Sequence, residues 1–108
     1  MLGLPYLIAL KAEALQRAGR ASEALEAIRD AEAETNRSGV RWLSSEVHRL
    51  RGVFLARTGA HETQIADSFR VAIRIAKQQE SISFVARAEK SYEEFRSLVT
   101  FRVSKKPG

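Results

Sequence analysis

"RWLSSEVHRLRGVFLARTG", residues 41–59, holds a glutamate, a histidine and four arginines in nineteen positions. Two readings compete: a polar cluster that does chemistry, or the solvent side of a scaffold helix. The apolar residues decide between them. Leu43, Val47, Leu50 and Phe54 fall at i, i+4, i+7 and i+11, one continuous helical stripe that Leu55 widens. Gly59 follows, and glycine tolerates the left-handed conformation past a helix end. Glu46 and His48 are two positions apart, so they do not share a helix face. Arg49 and Arg51 beside the histidine disfavour a bound cation. The stretch reads as a scaffold helix.

The same pattern extends in both directions. A helix begins near His61 to Thr63 and reaches about Gln79, with Ile65, Phe69, Ala72, Ile73 and Ala76 inward. Another carries Val85, Ala88, Tyr92, Phe95 and Val99 at spacings of 3, 4, 3 and 4. Upstream, Pro5 suits a first helical turn. Leu7, Ile8, Leu15 and Ala18 give that helix an apolar face, and Gly19 ends it. Ser22 reads as the next N-cap, with Glu23 in the positive first turn. Ala24, Leu25, Ile28 and Ala31 then follow a stripe that Asn36, Ser38 and Gly39 break.

These five helices repeat. Gly19 and Gly59 each follow an apolar helix and precede a polar turn and a second helix. Ala24, Ile28 and Ala31 correspond to Ile65, Phe69 and Ala72: small or apolar, large at +4, alanine at +7. Where two helices cross closely, a small residue must face a large one. Antiparallel pairs of this kind stack into a solenoid, each burying its face against the next. The expected fold is therefore all-α: one domain over residues 3–103, with hairpins at about 5–37 and 41–79, an unpaired helix at about 82–102, and a disordered tail at 104–108.

Composition narrows the function classes. The 108 residues include no cysteine, which removes disulfides and thiolate zinc sites and fits a cytoplasmic location. No apolar run approaches the ~20 residues that span a bilayer. The opening "MLGLPYLIAL" lacks a basic region and a cleavage site for secretion. Charge is lopsided: residues 1–36 carry four bases and six acids, and residues 37–108 carry 14 bases and 7 acids. A basic half can attract acidic protein, nucleic acid or anionic lipid. Trp42 and the two tyrosines form no stacking row, and no recognition helix stands out, so nucleic-acid binding is the alternative reading and not the first.

Catalytic signatures are incomplete. "HETQI" at 61–65 starts like H-E-x-x-H, but Ile65 stands where the second histidine belongs. The glycines do not form a phosphate-binding loop, and no serine sits in G-x-S-x-G. Glu93 and Glu94 are adjacent and diverge on a helix. Glu13 with Arg17 and Glu93 with Arg96 are spaced as helix-supporting ion pairs. The sequence predicts neither an enzyme nor a cofactor or metal site.

Gly52, Leu55, Gly59, Phe69 and Ala72 resemble signature positions of tetratricopeptide repeats. Ala12, Leu15, Gly19, Ala24, Ile28 and Ala31 occupy the same places one repeat earlier. The glycine spacing of about 40 residues departs from the usual 34, and Asn36 stands where proline is common. The segments "GLPYLIALKAEALQRAGRASEALEAI", "EVHRLRGVFLARTG" and "ADSFRVAIRIAKQQ" look like the carboxy-terminal repeats of bacterial multidomain regulators. In those, an ATPase module is joined to an adenylate/guanylate cyclase or a DNA-binding domain. The resemblance covers about residues 3–95 and none of the ATPase, cyclase or DNA-binding segments.

That resemblance implies a short right-handed solenoid and a protein-interaction role as the sensor arm of a signalling regulator. It also implies that the first helix of each pair lines a concave groove. Tyr6, Glu13, Gln16 and Arg17 would come from the first pair, and Glu46, Arg49, Val53 and Arg57 from the second. Glu89 and Glu93 would come from the last helix. Arg17, Arg49 and Arg57 would grip a peptide carboxylate. Solenoid ends need polar caps. Here Phe84, Tyr92, Phe95, Val99 and Phe101 lie on a helix with no partner, which predicts self-association, as a dimer.

Overall fold

The structure is a computed structural model that describes residues 4–38 and 44–105, with side chains over 10–37 and 44–101. It is all-helical over those residues: α1 Leu4–Arg17, α2 Ala21–Ser38, α3 Ser44–Thr58, α4 Glu62–Gln78 and α5 Ile82–Lys105. Among the described residues no helix is long and apolar enough to cross a membrane.

The turns follow from backbone chemistry. After α1, Gly19 adopts φ +78°, Arg20 N–H donates to Leu15 C=O at 2.9 Å, and Gly19 N–H donates to Gln16 C=O at 3.0 Å. These bonds satisfy carbonyls that the helix end leaves open. Gly59 repeats the device after α3, with φ +76° and Ala60 N–H on Leu55 C=O at 3.1 Å. The turn after α4 has the same two bonds, Ser81 N–H to Ala76 C=O and Glu80 N–H to Lys77 C=O. There the left-handed residue is Glu80, at φ +56°. His61 caps α4, its Nδ1 accepting from Thr63 N–H at 3.2 Å.

Several expected boundaries shift. Ser22 is not the cap of α2: the helix starts at Ala21, and Arg20 C=O already accepts from Ala24 N–H at 3.0 Å. The Arg20 guanidinium instead grips Glu23, through Nε at 2.9 Å. Asn36 does not end α2, which runs to Ser38. α5 reaches Lys105, two residues into the stretch expected to be tail. Trp42, Leu43, Gly39 and residues 106–108 lie outside the described residues.

α1 packs on α2 and α3 packs on α4. α2 also packs on α3, and α4 on α5. α1 touches α3 and α3 touches α5, whereas the backbones of α2 and α4 do not come together among the described residues. The first helices therefore lie side by side, while the second helices leave a gap over α3. One core joins Ala12, Ala24, Ala27, Ile28 and Ala31 to Val47, Leu50 and Phe54. Further along, Phe69 is buried, with Tyr92 and Phe95 of α5 at ring-centroid distances of 5.7 and 6.0 Å. Gly52 makes room for it: a Cβ there would stand 2.8 Å from the Phe69 ring.

Candidate interaction surface

α1, α3 and α5 share a face, and polar side chains link neighbour to neighbour across it. Glu46, in the first turn of α3, is nearly buried and receives two guanidinium groups at 2.5 Å. One is from Arg49 of its own helix and the other from Arg87 of α5. Arg49 Nη1 also donates to Ser91 Oγ of α5 at 3.3 Å. Between α1 and α3, the Gln16 amide faces Arg57, and the hydrogen-bonding pattern assigns its oxygen to that side, accepting from Nε and Nη1 of Arg57, both at 3.2 Å. Each link joins residues 41 or 42 positions apart, one period of the sequence repeat plus one or two.

The burial of Glu46 is chemically consistent. A carboxylate with little solvent is costly unless paired and hydrogen-bonded. Two arginine forks and the positive end of α3 supply that pairing. Arg49, expected to grip a ligand carboxylate from the groove wall, is therefore occupied: its side chain is only 14% exposed and committed to Glu46 and Ser91.

The other expected groove residues divide. Glu13 is half-buried and meets Arg17 at 3.8 Å, with the Arg17 side chain open to solvent. Val53 packs against the core cluster and forms apolar floor. Arg57, Glu89 and Glu93 are exposed. Arg96 lies 5.4 Å from the Tyr92 ring centroid and 3.7 Å from Glu93, as the i, i+3 spacing predicts. Tyr6 belongs to α1, but its side chain is outside the described set.

The residues expected to drive self-association mostly face the chain's own interior. Tyr92 and Phe95 stack on Phe69, and Phe84 and Val99 are half-buried. Phe101 is 55% exposed, as is Leu98 at 56% and Ile82 at 87%.

The opposite face carries a furrow of about 430 Å³ in the gap between α2 and α4, lined by Leu25, Arg29, His48, Arg51, Gln64 and Asp67 among others. His48 and Glu46 thus lie on opposite sides of α3. Burial pushes the His48 imidazole below its usual pKa. Glu32 opposes that shift, and Arg51 and Arg74 add to it. Glu32 itself meets Arg51 at 3.1 Å. Among the described residues no three metal-ligating side chains converge.

Sequence reasoning missed Arg87, Ser91 and the pairing of Gln16 with Arg57. The signal was present as the repeat length, since residues one period apart on first helices become neighbours when pairs stack.

No family model matches the chain, and no solved structure does. An uncharacterized protein of Rhizobium meliloti (strain 1021) is 30% identical over 91 residues, which cover 84% of this chain. The chain spans only 9% of that protein's length.

Proposed function

We propose that this chain is a tetratricopeptide-like arm of a bacterial multidomain signalling regulator, a non-enzymatic module that binds another protein along the face of α1, α3 and α5. The observation that carries the reading is the set of side-chain links one repeat period apart. They are what a stack of equivalent pairs produces, and not what a closed bundle of five unrelated helices requires. The order of helix contacts, first helix to first helix with second helices apart, supports the same stacking. The bacterial relative, of which the matching segment is a small part, supports membership of a longer protein.

Arg17 and Arg57 are the open cations on this face, and they would hold a carboxylate-bearing peptide above the apolar floor of Val53. Protein is favoured over nucleic acid because seven other arginines are matched to carboxylates within the chain: Arg20, Arg37, Arg49, Arg51, Arg70, Arg87 and Arg96. Counterion release on phosphate needs cations that are not already paired.

A peptide library with free C-terminal carboxylates tests this. Ligands are expected to lose affinity with Arg17→Ala and Arg57→Ala together, and to keep it with Asp67→Ala on the opposite face. No ligand in the library, or equal loss from both faces, contradicts the groove.

A further inference from the structure

The side of α5 turned away from α3 and α4 carries Ile82, Ala86, Lys90, Glu93, Ser97 and Phe101, at spacings of 4, 4, 3, 4 and 4. All six are exposed. The stripe has a symmetry that the inward stripe lacks. Read from its two ends toward the middle, it pairs Ile82 with Phe101, Ala86 with Ser97, and Lys90 with Glu93, three pairs about one centre between residues 91 and 92. The outer pair is apolar, the next is small, and the inner pair is opposite in charge.

We infer that this stripe is a homodimer interface, in which α5 of a second copy lies antiparallel across α5 with its two-fold axis between residues 91 and 92. In that register Ile82 meets Phe101 of the second copy at both ends, and Lys90 meets its Glu93 twice at the centre. Ala86 opposite Ser97 lets the helices approach to the ~8–10 Å of a packed pair. The stripe spans about 28 Å of helix, enough for a continuous seam.

The charges argue for this occupant. Among the described residues Lys90 makes no ion pair, although Glu89, Glu93 and Glu94 stand on the same helix. Glu93 and Arg96 meet at 3.7 Å with both side chains mostly exposed, so a carboxylate oxygen remains for a second cation. Lys90, Glu93, Glu94, Ser97, Leu98 and Phe101 line one open depression, so charged and apolar parts of the stripe form a single surface. A parallel pair would set Lys90 against Lys90 and Glu93 against Glu93, which like-charge repulsion disfavours. Glu93 also belongs to the expected groove, but the pairing is argued from the stripe alone and does not depend on that reading.

Sedimentation equilibrium of the full chain and its variants tests the pairing. The native chain is expected to be a reversible dimer. Lys90→Glu turns two attractions into two repulsions and is expected to weaken the dimer on the order of tenfold or more. Adding Glu93→Lys restores opposite charges and is expected to recover most of the loss. Helical circular dichroism should stay unchanged throughout, because both residues are exposed. The chain has no cysteine, so cross-linking reports register directly. Ala86→Cys with Ser97→Cys should form a covalent dimer on oxidation, and Ala86→Cys alone should not. A monomer at every concentration overturns the inference and leaves the stripe to a different protein's helix. A dimer indifferent to Lys90→Glu, or one cross-linked by Ala86→Cys alone, overturns it too.

Discussion

Among the described residues the two hairpins bury different side-chain volumes. In the first, the buried apolar residues described are Ala12, Ala24, Ala27, Ile28 and Ala31. In the second they are Val47, Leu50, Phe54, Ile65 and Phe69, with Ala72 and Ala76. α3 and α4 pack as extensively as α1 and α2, and at Gly52 the missing side chain admits the Phe69 ring. Phe69 also receives Tyr92 and Phe95 from α5, so one residue serves both the hairpin and the joint to its neighbour. The second hairpin is the anchor.

The sharpest way to break that contrast is Phe69→Ala. Removing a buried ring with contacts on two sides is expected to cost about 3–5 kcal/mol by urea unfolding. Amide protection in α5 should be lost along with that in α4. Ile28→Ala in the first hairpin should leave α5 protected, and the reverse result would make the first hairpin the anchor. Gly52→Ala comes next. Its Cβ meets the ring at 2.8 Å, and the expected cost is about 1–3 kcal/mol. Combined with Phe69→Leu, the two changes should be non-additive, since they share one space.

Glu80→Gly should stabilise the chain by about 0.5–1 kcal/mol, because glycine relieves a positive φ that costs an L-residue more. A loss of stability would mean that the glutamate side chain contributes more than its backbone strain costs. The smallest effect concerns His48, in the gap between the second helices. Its folded pKa is lowered, so the unfolded chain binds its proton first. Stability from this group is complete above the unfolded value of about 6.5 and falls as pH drops through the lowered folded value. His48→Gln should flatten that part of the stability–pH curve relative to the native chain.

The apolar stripes were legible because helical period is a local signal: Val47, Leu50, Phe54, Ile65 and Phe69 are all buried as their spacing predicts. Gly19 and Gly59 were legible for the same reason. Glu80 was not, because nothing in a glutamate marks a left-handed residue. Ser22 misled, since cap preference identifies a residue type and the backbone bond to Arg20 fixes the actual start. The groove face suffered most. Arg49 was placed on the groove wall by the resemblance alone. Its partners are Glu46 of its own helix and Ser91 of α5, 42 residues away. Tyr92 and Phe95 were expected on an unpaired helix, yet Phe69 of α4 supplies a ring for both.

The notch at Gly52 also governs how this pair of sites can change over time. A methyl group arriving first at 52 collides with the ring, and a smaller residue arriving first at 69 leaves a void. Either first step costs stability, so the pair is expected to be exchanged most easily when both positions change together.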